Sequence, residues 1–185
     1  MYIAIDPGIN NTGVILFTLS SDKKFTVINS RLILNIRKFT IEEKLIIKKY
    51  GDRVPKLQSI LNGVNEVYNS NKDLIKGIII EAPFYSSFRP QTFGSIIEVI
   101  TLIKYNIAYK LNIDFNLIEP LLIKKIFSTK GMATKELMKE VLEQKVKNNE
   151  IFVPFNVDIL SEHEIDAIAV GYSHYILKFK GEESV

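Results

Sequence analysis

The sequence predicts an α/β fold, with a mixed five-stranded sheet whose first three strands are antiparallel, flanked by helices. Two observations carry this. Three early apolar runs are joined by tight turns, the pattern of an antiparallel start. The later apolar runs are separated by helical patterns, which calls for crossovers and parallel strands. Handed crossovers place the tips of the first and fourth strands side by side.

The elements follow in order. Residues 2–6 form a short buried strand. Asp6 to Gly13 is a turn, punctuated by Pro7, Gly8, Asn10 and Asn11. Val14 to Leu19 returns as a second strand, and Phe25 to Leu34 forms a third. From about Ile41 to Asn69 the pattern is helical, with Val54, Leu57, Ile60, Leu61, Val64 and Val67 at helical spacing and Pro55 in a first turn. Lys76 to Glu81 is a compact strand, and Phe84 to Gly94 a polar and aromatic loop. A long helix then runs to about Leu111, followed by a strand from Phe115 to Ile118. Helices cover about 120–127 and 134–146. A last helix spans Ser161 to Leu177, with Ser161 as N-cap and Glu164 three residues on.

A chain of 185 residues without internal repeat or linker is expected to be one domain spanning 1–185. Its 46% hydrophobic content is enough for a core. No apolar stretch reaches the ~18 residues that span a bilayer. No basic leader precedes an apolar run, so no secretory signal is expected and a cytoplasmic location is. The absence of cysteine excludes disulfides, zinc-thiolate centres and thiol catalysis. The net charge of +3 says little about partners. Lys124, Lys125, Lys130, Lys135 and Lys139 cluster in one region. On charge alone such a stripe reads as a solvated helix face.

Chemistry is concentrated in four residues from three separated segments. Asp6 and Glu81 end apolar strands, while His163 and Asp166 lie three apart on the last helix and share one face. Each has a bland alternative: Asp6 as a turn residue, Glu81 as the point where a strand meets water, His163 as a structural histidine. Asp166 is harder to dismiss, because Ile165, Ala167, Ile168 and Ala169 surround it and a buried charge needs a partner. Together the four suit a hard divalent cation, Mg²⁺ or Mn²⁺, bound through oxygen-rich ligands. Two such ions per site can cut a phosphodiester. His163 would bind one metal through a ring nitrogen or position the attacking water.

These residues resemble the RuvC-type Holliday-junction resolvases of the ribonuclease-H-like superfamily. The resemblance begins at Ile5-Asp6-Pro7-Gly8 with Thr12-Gly13 and continues at Ile80-Glu81 with Phe84. It extends through Lys124 and Gly131-Met132-Ala133-Thr134-Lys135, and ends at His163-Glu164-Ile165-Asp166-Ala167-Ile168-Ala169 with His174. The resemblance implies a ribonuclease-H-like sheet and a catalytic, metal-binding set of Asp6, Glu81, His163 and Asp166. Many members carry aspartate in place of His163, and others histidine. It implies Lys124 and Lys135 near the scissile phosphate and Phe84 against unpaired bases. Arg89 and Lys130 are further expected phosphate contacts, from their place in loops beside the site. The longer, charged segment from about Arg37 to Gly51 and the compact C-terminus resemble phage or viral members.

The function so implied is a homodimeric, metal-dependent endodeoxyribonuclease that nicks four-way DNA junctions symmetrically, leaving 5′-phosphate and 3′-hydroxyl ends. No membrane and no nucleotide cofactor is expected. The helix from Gln91 to Leu111, with Ile96, Ile97, Ile100, Leu102 and Ile103, is either a dimer surface or ordinary core. The alternatives are a branched-DNA, flap-DNA or RNA-processing nuclease of the same fold, and a junction-binding protein that does not cut. An actin-like or sugar-kinase phosphotransferase also opens with Asp-x-Gly, but needs two such lobes.

Overall fold

The computed structural model describes the chain apart from residues 20–23, 36–37, 89, 130–132 and 181–185 and the side chains of 179 and 180. Its sheet has six strands rather than five. β1 (Tyr2–Asp6), β2 (Asn11–Leu19) and β3 (Phe25–Leu34) form the expected antiparallel meander. β4 (Gly77–Glu81) lies parallel to β1, and β5 (Asp114–Ile118) parallel to β4. The sixth strand, β6 (Ile151–Phe152), pairs in parallel with the start of β3, giving the order β5-β4-β1-β2-β3-β6. Two residues are too few to show any periodicity, so this strand has no sequence signal.

Helices cover both faces of the sheet. α2 (Arg53–Asn69) and α3 (Pro90–Ile103) bury Ile60, Val64, Val99 and Ile103 against Ile3, Ile5, Val14, Ile78 and Ile80. α4 (Pro120–Ser128), α5 (Lys135–Lys147) and α6 (Glu162–Tyr175) bury Phe127, Leu142, Ile168 and Val170 against Ala4, Ile15, Phe17 and Ile79. Because helices cover both sides, β4 can be apolar at every position from Ile78 to Ile80, all fully buried. Each such isoleucine is worth roughly 1.5–3 kcal/mol of burial.

The helical region 41–69 is two helices. α1 (Ile41–Tyr50) buries no residue and ends at Gly51, whose φ of 87° only glycine adopts readily. α3 is shorter than expected, because the backbone widens into a π-helical stretch at Lys104–Tyr109. Within it the Asn106 amide donates to the Leu102 carbonyl at 3.0 Å, competing with the helical ladder. The apolar residues of this helix divide accordingly. Ile100 and Ile103 are core, Ile96 packs beside them, Leu102 is half-buried and Ile97 is exposed.

α6 begins as expected. The Glu164 amide donates to Ser161 Oγ at 3.3 Å, and the Ser161 amide donates back to the Glu164 carboxylate at 2.9 Å. This reciprocal cap holds the turn that carries His163. Ser161→Ala should cost about 1 kcal/mol. A shift in the denaturant midpoint at unchanged slope measures it; an unchanged midpoint would show that the cap contributes nothing.

Candidate active site

Strand alternation determines what reaches the site. Ala4, Ile15 and Ile79 point towards α6, so Asp6, Gly13, Asn11 and Glu81 project to the same face. Asp6 lies opposite Gly13, and Glu81 follows Ile80, the register partner of Ile5. The first turn of α6 crosses this corner. At Gly13 a Cβ would overlap the carbonyl of His163, so only glycine lets the helix approach so closely. That contact delivers His163 and, one turn later, Asp166 to the strand tips.

The four expected residues are thereby brought together. His163 Nδ1 lies 2.6 Å from Asp6 Oδ2, an imidazole–carboxylate hydrogen bond. Its Nε2 faces the Asn11 amide nitrogen at 3.3 Å, so both ring nitrogens are engaged. Glu81 and Asp166 are half-buried and within electrostatic reach of Asp6. Loss of water, then the charges of Asp6 and Asp166, push Glu81 up to about 8, with Lys124 opposing. Loss of water and the Asp6 charge raise Asp166 to about 6, against the pull of His163 and Lys124. His163 is raised above its ordinary value, first by its bond to Asp6.

Among the described residues, no three Asp, Glu or His side chains form a closed metal-ligand group. The donor set nevertheless suits a hard divalent cation. It offers three carboxylates and one imidazole, and a cation would offset both the burial and the Asp6 charge that raise Glu81 and Asp166.

The remaining expected residues are dispersed around this centre. Lys124 on α4 acts on both Glu81 and Asp166. Lys135, at the start of α5, is exposed and held by Glu162 at 2.6 Å. Phe84 is 61% exposed in the loop after β4, joined there by Tyr85 and by Phe88, which is 94% exposed. Such exposure of large apolar rings is the informative departure, since a loop phenylalanine usually tucks into the core. Arg89 and Lys130 lie outside the described residues. Sequence reasoning missed Asn11, which reads as turn punctuation, and Glu162, which reads as first-turn helix charge. It also missed Phe88, whose exposure has no local signature.

No protein-family model matches the chain, and no curated protein matches it in sequence. Solved structures do match in fold. RuvC of Thermus thermophilus, in complex with a Holliday junction substrate, superposes with a TM-score of 0.71 at 16% identity, over 97% of this chain and 95% of that one. The yeast mitochondrial Holliday junction resolvase Ydc2 gives 0.59 at 14% identity, over 97% and 80%. The fowlpox virus resolvase, solved with Holliday junction DNA, gives 0.52 at 16% identity, over 96% and 98%. The chain therefore has the α/β fold of RuvC-type Holliday junction resolvases, with its strand tips carrying Asp6 and Glu81 beside His163 and Asp166. The sixth strand is a short addition to that sheet and leaves the fold unchanged.

The raised Glu81 has a consequence for stability. Between about pH 4.5 and 8 the folded protein keeps a proton that the unfolded chain has lost. Stability from this group is present below that window and disappears as pH rises through it. With a chelator present, Glu81→Gln should melt above the parent at pH 8.5 and alongside it at pH 5. Equal melting temperatures at pH 8.5 would show that the Glu81 carboxylate bears no such strain.

Proposed function

We propose that this chain is a homodimeric, metal-dependent endonuclease that resolves four-way DNA junctions by symmetric nicking. The carrying observation is the convergence of Asp6, Glu81, His163 and Asp166 at one corner of a RuvC-type fold. Asp6, Glu81 and Asp166 would hold Mg²⁺ or Mn²⁺, two ions per site being the arrangement suited to this chemistry. When bound, such ions supply Lewis acidity that lowers the pKa of water and stabilises developing charge on phosphate oxygens. The chain's own residues do the rest. His163, whose Nδ1 is bonded to Asp6, would fix the orientation of that carboxylate towards the ion. Lys124 lessens the negative charge that would repel an incoming phosphate, and Lys135 offers a phosphate contact at the rim. Hydrolysis leaves 5′-phosphate and 3′-hydroxyl ends, without a covalent enzyme intermediate.

The aromatic loop supports a branched substrate. A continuous duplex stacks its bases inward, whereas a junction centre exposes base faces that Phe84 could cover. Among the described residues no helix is long and apolar enough to cross a membrane. A four-way junction has two-fold symmetry, so a C₂ dimer is the economical assembly. Ile97, Tyr105 and Tyr109 are exposed along α3 and its π-helical continuation, where such a dimer would pack.

The test is cleavage of a synthetic four-way junction in Mg²⁺ or Mn²⁺, beside linear duplex, flap DNA and structured RNA. Paired symmetric nicks in the junction are expected, with Asp6→Asn abolishing cleavage while keeping binding. Equal cutting of flap or duplex would retain a nuclease and remove the junction assignment. Phe84→Ala should weaken junction binding by about 1–3 kcal/mol and leave duplex binding unchanged. An equal loss on both DNAs would remove the stacking role.

A further inference from the structure

We infer that Asn11 is the positioning residue for His163, fixing the imidazole against Asp6 from the opposite side. The ring lies between two side chains borne on rigid strands, Asp6 at the end of β1 and Asn11 at the start of β2. Nδ1 is 2.6 Å from the Asp6 carboxylate and Nε2 is 3.3 Å from Asn11 Nδ2. A carboxylate can only accept, so Nδ1–H donates to Asp6. In the neutral ring Nε2 is then an acceptor, and the Asn11 amide donates to it. One partner alone would leave the imidazole free to rotate about its bond to the helix; two partners on opposite nitrogens prevent this.

Residue type at position 11 supports the same conclusion. Asn11 Oδ1 is buried without a hydrogen-bond partner, an arrangement that ordinarily costs about 1–3 kcal/mol. An amide that turned its oxygen to Nε2 instead would meet a ring carrying both protons. Asparagine can therefore hold the imidazole by donating or by accepting, and it adds no charge beside Asp6, Glu81 and Asp166. Aspartate could only accept and would add to the repulsion; leucine, of similar size, could do neither. Asn11 shares its strand face with Gly13, the residue that lets α6 approach, so the same two-residue step sets both the distance of the helix and the orientation of its histidine. The effect of Asn11 on cleavage rests on the nuclease reading; its effect on the ring does not.

The test uses the full chain labelled with ¹⁵N-histidine. The sequence has two histidines, His163 and His174, so the second serves as an internal control. In the parent, at a pH alkaline enough to leave the ring neutral, the His163 nitrogens should report one tautomer, with the proton on Nδ1. Asn11→Leu and Asn11→Ala should each shift and broaden the His163 Nε2 signal. His174 should stay unchanged in both. On a four-way junction, Asn11→Leu should lower kcat about 10- to 100-fold with KM unaltered, the size of loss seen when a residue orienting a site histidine is removed. Unchanged His163 signals in two folded variants would overturn the inference. So would signals that change while a junction-cleaving protein keeps its kcat. A parent that cuts no junction would instead overturn the nuclease reading, and the nitrogen spectra would still decide the role of Asn11. Should Asn11→Leu fail to fold, the spectrum of Asn11→Ala alone decides.

Discussion

The approach of α6 to the sheet at Gly13 is the contact on which the site depends. A helix normally packs on a sheet with side chains between them, which holds its axis about 10 Å away. Here the first turn reaches the β2 backbone because no Cβ stands between them. Without that approach His163 could not reach Asp6, and Asp166 would lie above the strand tips rather than beside them. The reciprocal cap of Ser161 and Glu164 matters for the same reason. It fixes a turn that would otherwise fray at the point where precision is needed. A second bond from Ser30 to Glu164, at 2.6 Å, ties this turn to β3.

The same approach concentrates charge. Asp6, Glu81 and Asp166 are drawn together in a half-buried corner where Lys124 on α4 offers the opposing charge. The fold carries this cost because it is stabilised elsewhere, by two apolar layers that sandwich the sheet. Local conflict of this kind is expected where a site must favour a ligand over its own ground state. It also sets these carboxylates apart from one that is simply ion-paired. Glu150, which is exposed, meets Lys145 at 2.9 Å and the Tyr172 hydroxyl at 3.1 Å, and its pKa is lowered. Glu81 has no comparable partner and moves the opposite way.

What was legible in the sequence follows from what is local. β1 to β4 could be read because turns and apolar runs are properties of neighbours in sequence, and so could the cap of α6. The pairing of Asp6 with Glu81 needed one further rule, the handedness of crossovers. β6 was illegible because it is two residues long and exists only through Phe25 and Thr26. The break at Gly51 had a partial signal in Pro55, whose place in a first turn marks the start of α2. Asn11 shows the limit most plainly. By composition it is a turn residue, and its partner lies 152 residues away, on a helix that reaches it only through the absence of a side chain at position 13.

The distribution of lysines bears on how an acidic site could receive a polyanion. A cluster of carboxylates repels phosphates, so approach requires compensating charge at the rim. Lys135 and Lys139 on α5 line a groove with Asp166, and both are already paired, with Glu162 at 2.6 Å and Asp158 at 3.2 Å. These are exposed ion pairs, worth about 0–1 kcal/mol each. Breaking such a pair to free the lysine for another anion therefore costs little. The pairs therefore keep the rim electrically quiet without holding it shut. Displacing Glu162 would also act on the site itself, because its carboxylate lies 3.6 Å from His163 Nε2. Glu162 thus meets the rim lysine with one oxygen and lies near the site histidine with the other.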